Sequence, residues 1–399
     1  MVLLRKMAVS CHVAFGHYLR TLRERRGLAL EDVWTLSQTF PESLNKGYLS
    51  RCENGKQKLA LPKVVALSRI YEVPSDVLLE RLELDLELEK IGGPSTENLN
   101  WAQLREAGKN AMQHGHRWPA YAFLRDATFR VAEADLDTST FADHREQEVS
   151  GFMNIASSAQ GLGKNRYALH ELSFAEKSCA LGPNNSVFVA ERLATVHLHL
   201  ENYETAQEYA DSALERLESA PGCPFEGFVF SLQGLLRLRL KKQDEAIPWY
   251  QKAYDAFRSQ KLFRNSANSL TGLADCYLEL RNYGAATRTL ETALRLCDEY
   301  SLSHIRAIAL ALQGIIDQAN ARHKSAEKKL REAKAIAKQL NNRVLRFQID
   351  FYLYKQAQAL RHDSAARAIR RRLNTLACSI PETVEQVVEF KMLEKHSKT

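Results

Sequence analysis

A period of forty residues runs through much of this chain. Ala194, Gly234, Ala274 and Gly314 are small residues at that interval. Each begins one pattern: a second small residue twelve positions on, a large apolar one four later in most sets, and a small one three further. The sets are Ala194/Ala206/Ala210/Ala213, Gly234/Ala246/Tyr250/Ala253, Ala274/Ala286/Leu290/Ala293 and Gly314/Ala326/Leu330/Ala333, preceded by Gly108/Ala120/Leu124/Ala127 and Ala156/Ala168/Leu172/Ala175. A weaker set starts at Tyr354 with Ala366 and decays at Arg370 and Leu373. With only 10 Pro and 18 Gly in 399 residues, such a repeat predicts paired long helices, so the chain is expected to be all-α. Small residues let two helices approach closely, and the large one fills the groove between neighbouring pairs. Turns are expected at Glu201-Asn202-Tyr203, Lys242-Gln243-Asp244 and Arg281-Asn282-Tyr283.

This pattern resembles the tetratricopeptide repeat, lengthened by several residues per unit. The resemblance implies an α-solenoid of about seven helical hairpins over 98–395, with a concave face suited to an extended peptide or a partner's helix. Repeat register places Arg105, Lys109, Asn154, Asn268, Asp275 and Lys355 on that face as candidate effector contacts, beside Met153, Ser157, Glu191, Thr195, Thr271 and Gln318. An Asn side chain pairs with a peptide's backbone donor and acceptor together, and Arg or Lys holds a terminal carboxylate. For any single one of these, a solvated residue is the blander reading.

Residues 15–79 read differently, as five short helical segments. Phe15, Leu19 and Leu22 share one helical face that ends at Gly27; Leu30, Val33, Trp34 and Leu36 repeat the pattern. Asn54-Gly55 stops a third helix, Pro62 opens a fourth and a fifth begins near Pro74-Ser75. The string Arg23, Gly27-Leu28, Glu31-Asp32-Val33 and Tyr48-Leu49-Ser50-Arg51-Cys52-Glu53-Asn54-Gly55-Lys56 resembles the Xre / lambda-repressor-like helix-turn-helix family. The third helix buries Leu49 and Cys52, which leaves Lys46, Gly47, Ser50 and Arg51 opposite as candidates to read base edges. Asn54, Gly55, Lys56 and Lys58 follow in a loop with side-chain and backbone donors suited to phosphate. The resemblance further implies a structural ion pair between Arg23 and Glu53. Two departures stand out: the stretch from Trp34 to Tyr48 is several residues longer than the family's usual spacing, and Leu30 occupies a position where Gln or Ser often meets phosphate.

Charge is unevenly placed. The chain has 55 Lys+Arg against 48 Asp+Glu, a net +7, and residues 1–79 hold twelve of the bases against seven acids. Between the two regions, 80–97 is expected to link them: ERLELDLELEK (80–90) reads as an acidic helix running out of the first region, and IGGPST (91–96) as a hinge. Residues 1–14 form an N-terminal extension. Its apolar stretch is broken by His12 and lacks a cleavage pattern, so a secretory signal is not expected; Met1 and Met7 both remain candidate starts. No apolar run approaches the roughly 18 residues of a membrane span. Seven scattered cysteines (Cys11, Cys52, Cys179, Cys223, Cys276, Cys297, Cys378) without a C-x-x-C pair read as buried free thiols of a cytoplasmic protein. His114 and His116 have no acid or cysteine at ligand spacing, and no phosphate-binding glycine loop or nucleophile motif occurs. No catalytic residue, metal or cofactor is expected, so an enzyme is not.

The combination points to a sequence-specific transcriptional regulator that binds double-stranded DNA as a homodimer, with a peptide or protein effector on its repeats and no membrane association. In domain order it resembles the Rap/Rgg/NprR/PlcR/PrgX class of bacterial peptide-responsive regulators. The alternative is an interaction scaffold whose helix-turn-helix only tethers a partner to DNA or is degenerate. The basic stretch from Arg361 to Arg372 reads as a solvated last helix or dimer surface before it reads as a DNA contact.

Overall fold

A computed structural model describes residues 10–133, 141–177, 182–380 and 384–396. Among these there are twenty α-helices and no strand. The chain divides into two units, Met1–Phe225 and Glu226–Thr399. Met1, Met7 and Cys179, named above, lie outside the described residues.

The first unit opens with five helices, α1 (Cys11–Arg25), α2 (Leu30–Ser37), α3 (Lys46–Glu53), α4 (Leu61–Tyr71) and α5 (Ser75–Ile91). Three hairpins follow: α6 (Trp101–Gln113) with α7 (Arg117–Glu133), α8 (Phe141–Gly161) with α9 (Asn165–Glu176), and α10 (Pro183–His199) with α11 (Tyr203–Glu218). The second unit holds α12 (Glu226–Arg239) with α13 (Gln243–Ser259), α14 (Phe263–Glu279) with α15 (Tyr283–Glu299), α16 (Ser303–Ala319) with α17 (His323–Gln339) and α18 (Arg343–Ala359) with α19 (Asp363–Ala377). Helix α20 (Glu385–His396) closes it, its Phe390 buried against Phe347 and Phe351.

The periodic small residues lie inside the hairpins. Ala120, Ala168, Ala206, Ala246, Ala286 and Ala326 are all fully buried. A methyl group on Gly108 would stand 2.5 Å from Leu124 Cγ, and one on Gly314 would stand 2.8 Å from Leu330 Cγ. Each large residue therefore occupies the space that its hairpin partner leaves by having no side chain. Left-handed turn residues mark the ends of helices at Glu201, Lys241, Lys261, Arg281, Ser301, Ala321, Asn341 and Arg361. From Lys241 to Arg361 the interval is twenty residues, which is one helix plus its turn and half the sequence period.

The stretch 80–97 is a packed part of the first unit. Helix α5 runs on through it and packs against α1 and α9. Arg81, Leu84, Asp85 and Leu88 are buried. Glu80 accepts the Tyr167 amide at 2.9 Å, supplying to the first turn of α9 the cap its own Lys164 does not. Even the hinge-like segment is tied: the Thr96 hydroxyl donates to Asp126 at 2.6 Å, and Arg130 donates to the carbonyls of Thr96 and Leu99.

Of the thiols, Cys11, Cys52, Cys223, Cys276 and Cys297 are buried, but Cys378 is exposed near the end of α19. Burial pushes Cys11, Cys276 and Cys297 up to about 12, so these three stay protonated. No helix among the described residues is long and apolar enough to cross a membrane.

Candidate nucleic-acid interface

The reading surface starts at a contact between α1 and α3. A methyl on Gly16 would fall 2.2 Å from the Cys52 carbonyl oxygen, so only glycine lets the two helices meet this closely. Tyr48, Leu49 and Cys52 turn inward from α3. Arg23 then locks the end of α3. Its Nε and Nη2 donate to the two Glu53 oxygens at 2.8 and 3.0 Å, and its Nη1 donates to the Leu28 carbonyl at 2.7 Å. Both side chains are nearly buried, at 11% and 5% exposure. A two-pronged guanidinium–carboxylate pair fixes an angle as well as a distance.

The long turn between α2 and α3 is held at both ends. The Ser37 hydroxyl donates to the Trp34 carbonyl at 2.7 Å and accepts the Leu44 amide at 2.9 Å. Leu44 is fully buried. The extra residues therefore bulge outward between two fixed points, and α3 keeps its place on α1. At the start of α2, Asp32 accepts the Ala29 amide at 2.7 Å, which provides the cap that Leu30 and Ala29 cannot.

Lys46, Gly47 and Arg51 are exposed and Ser50 is half-buried. Lys46 pairs with Glu31 and its ammonium lies 5.5 Å from the Trp34 ring, at the rim of the surface. Arg51 donates from Nε to Gln57 at 2.8 Å, and its Nη1 would stand 3.3 Å from a methyl on Gly47. The absent side chain at 47 thus gives the guanidinium room to lie along the helix.

The loop after α3 differs from its expected role. The amides of Asn54, Gly55, Lys56 and Gln57 donate to the carbonyls of Ser50, Cys52 and Arg51, and the Asn54 side chain donates to the Ser50 carbonyl at 2.7 Å. These donors finish the helix and are not open to phosphate. Gly55 has φ +67°, and a methyl there would fall 2.6 Å from Val13, so its role is the turn itself. The exposed donors left beside the surface are the ammonium groups of Lys56 and Lys58. Tyr48 fixes the loop by donating to the Lys58 carbonyl and accepting the Ala60 amide, both at 3.1 Å.

Several of the bases counted in this region are already paired. Arg20 meets Glu24, Arg26 meets Glu72 and Arg25 meets Glu171. The last belongs to a buried polar layer that sequence reasoning missed, between the first five helices and the first two hairpins. Arg25 lies 4.0 Å from the ring centroids of both Phe152 and Phe174. Arg81 donates to Asp85 and Tyr167, each at 2.9 Å, while Arg125 reaches Asp85 at 3.0 Å and Asp126 at 2.7 Å. The only local signal was the i, i+4 spacing of Arg81 and Asp85.

The candidate groove residues separate. Arg105 and Asn154 line one shallow cleft between α6, α7 and α8, and Lys109 is exposed one turn from Arg105. Asn268 is exposed and Asp275 half-buried on α14, and Lys355 pairs with Glu389 of α20 at 3.0 Å. Met153, Ser157, Glu191, Thr195 and Thr271 are buried among neighbouring helices and present no open face. Gln318 donates to the Tyr352 carbonyl and Gln356, both at 3.2 Å. In the basic stretch, Arg370 pairs with Glu394 and Arg372 with Asp350. No group of three His, Cys, Asp or Glu among the described residues is placed to hold a metal.

The helix-turn-helix domain family matches residues 14–82, and the tetratricopeptide repeat family matches 186–259. No curated protein matches the chain in sequence. Among solved structures, NprR in complex with its cognate peptide NprX is 15% identical with a TM-score of 0.56, over 73% of this chain and 83% of that one. A Rap protein complexed with competence and sporulation factor is 13% identical with a TM-score of 0.56, over 92% and 97%. Aspartyl phosphate phosphatase F from Bacillus subtilis is 12% identical with a TM-score of 0.52, over 95% and 96%. At these identities the likeness is one of fold. The chain is a helix-turn-helix domain of the DNA-binding type joined to tetratricopeptide-like repeats of the helical-solenoid class.

Proposed function

We propose that this chain is a cytoplasmic, sequence-specific transcriptional regulator of the Xre type, with 15–79 as its DNA-binding domain and 98–395 as an effector-binding repeat domain. The observation that carries the reading is the outward face of α3, where Gly47, Ser50 and Arg51 lie together with Lys46 at the rim while Arg23–Glu53 fixes the helix. Arg51 and Lys46 have the donors for guanine O6 and N7, and Ser50 for several base edges. Lys56 and Lys58 stand beside them as phosphate contacts; Asn54 and Gly55 shape the loop that presents them.

One short helix reads only a few base pairs, so useful affinity requires a homodimer on two half-sites. The effector is a peptide or protein held by the repeats, with Arg105, Lys109 and Asn154 as the contacts where the first unit holds it and Asn268 and Asp275 where the second does. NprR, which shares the fold, was solved with its cognate peptide NprX, and the Rap protein with competence and sporulation factor. An effector that prefers one arrangement of the repeats shifts the spacing of the two reading heads.

The test is binding of the purified chain to its own upstream region against random DNA across a salt series. A salt-sensitive preference for the upstream region, lost on combining Lys46→Ala with Arg51→Ala, is the expected result. Equal binding to both DNAs overturns the regulator reading and leaves an interaction scaffold.

A further inference from the structure

The guanidinium of Arg51 is steered by a residue outside α3. Its Nε donates to Gln57 Oε1 at 2.8 Å, while Nη1 and Nη2 have no hydrogen-bond or ion-pair partner among the described residues. Gln57 is itself anchored. Its amide and that of Lys56 both donate to the Arg51 carbonyl, at 3.2 and 2.8 Å, and Tyr48 holds the next residue by donating to the Lys58 carbonyl at 3.1 Å. Backbone and side chain of Gln57 thus both meet Arg51, closing a ring between the loop and the reading helix. We propose that Gln57 is a positioning residue: it turns the Arg51 fork end-on to the DNA, so that Nη1 and Nη2 together read one guanine in each half-site. This inference rests on the reading of α3 as the helix that meets base edges.

The geometry limits how the guanidinium can be used. Such a group can grip guanine O6 and N7 from its end, through Nη1 and Nη2, or from its side, through Nε and one Nη. With Nε given to Gln57, the end is what remains. An arginine Nε can only donate, so the Gln57 carboxamide must turn its oxygen toward it. On the far side the fork meets open space, since position 47 has no side chain and even a methyl there would stand 3.3 Å from Nη1. Guanine is the base that offers two acceptors on one major-groove edge; adenine puts the N6 donor where O6 would be and would face an Arg donor with another donor. Lys46 offers no such fork, and its ammonium is already paired with Glu31 at the rim. A long side chain held before binding loses less freedom on binding, and that ordering is worth about 2- to 12-fold in affinity.

The test is selection of bound duplexes from a random pool by the full chain, followed by sequencing, for wild type, Arg51→Ala, Gln57→Met and Gln57→Ala. Gln57→Met keeps most of the side chain's bulk and removes its acceptor, and Gln57→Ala removes both. The readout is the guanine-to-adenine ratio at each position, in which a uniform change of affinity cancels. The expected result is a position where Arg51→Ala abolishes the guanine preference and both Gln57 variants lower it by about 2- to 12-fold, with the other positions unchanged. Replacing that guanine by 7-deazaguanine, which lacks the N7 acceptor, is expected to weaken binding by the wild type more than binding by Gln57→Met. A wild-type chain that enriches no sequence overturns both this inference and the reading beneath it. The inference alone is overturned if sequences are enriched but no guanine depends on Arg51, or if that guanine preference survives in both Gln57 variants. It is equally overturned if those variants lower the ratio at every position alike, or if 7-deazaguanine weakens wild type and Gln57→Met to the same degree.

Discussion

The contact between Arg23 and Glu53 concerns two side chains but sets the presentation of a whole helix. Because Glu53 is buried, Arg23→Ala leaves a carboxylate without its partner in a poorly solvated place, a change that costs about 3–5 kcal/mol. The expected outcome is a large fall in the thermal midpoint of the helix-turn-helix domain, measured by circular dichroism; an unchanged midpoint would show that the pair holds nothing. His17 gives a second, pH-dependent effect. Its folded pKa, about 4, lies below the ordinary 6.5, so between those values the unfolded chain takes up a proton that the folded chain refuses. Stability is therefore full above pH 6.5 and declines as pH falls toward 4, by at most about 3 kcal/mol and by less for the partly exposed edge of the ring. Glu171 acts in a lower window. Arg25 and His170 hold its carboxyl well below 4.5, so its contribution is present above that value and lost on further acidification. His17→Phe keeps the ring contact with Phe129 and is expected to flatten only the decline between pH 6.5 and 4 in denaturant titrations.

At the scale of helices, the hairpins depend on residues that are missing side chains. Adding a methyl at Gly108 or Gly314 drives it into Leu124 or Leu330, and overpacking of this kind costs about 1–3 kcal/mol. Gly108→Ala combined with Leu124→Ala is therefore expected to destabilise by less than the sum of the two single changes. A strictly additive double-mutant cycle in urea would count against it. This close pairing was legible in the sequence because a small residue facing a large one recurs at fixed offsets. The turns were legible only through the period, since residues such as Lys241, Lys261 and Ala321 adopt a left-handed backbone without being glycine. Helix α3 was legible as well, from Leu49 and Cys52 on one side and Lys46, Gly47, Ser50 and Arg51 on the other, although the burial of Tyr48 was not. The packing of α5 was not. Its acids and leucines read as a helix leaving the domain for a hinge, and nothing in them announces that Tyr167 and Arg125, distant in sequence, pair with Glu80 and Asp85. Local spacing carries no record of a partner 40 or 87 residues away.

Over the whole molecule, the excess of bases in residues 1–79 overstates what DNA can meet. Arg20, Arg23, Arg25, Arg26 and Lys46 already face carboxylates, and among the described residues the exposed cations near α3 reduce to Arg51, Lys56 and Lys58 beside the partnered Lys46. This small set makes the proposed dimer measurable. Each phosphate contact releases counterions and contributes about 0.9 to the slope of log affinity against log salt. A substitution in a dimer removes that contact from both heads. Lys56→Ala is therefore expected to reduce the slope by about 1.8 if two heads are bound and by about 0.9 if one is. It should weaken binding to every DNA sequence alike, whereas Arg51→Ala should cost about 1–3 kcal/mol chiefly on the preferred site. Measuring both slopes on a full site and on an isolated half-site separates the cases. A loss near 0.9 on the full site would rule out simultaneous engagement of two heads, and with it the idea that the repeats act by setting the distance between them.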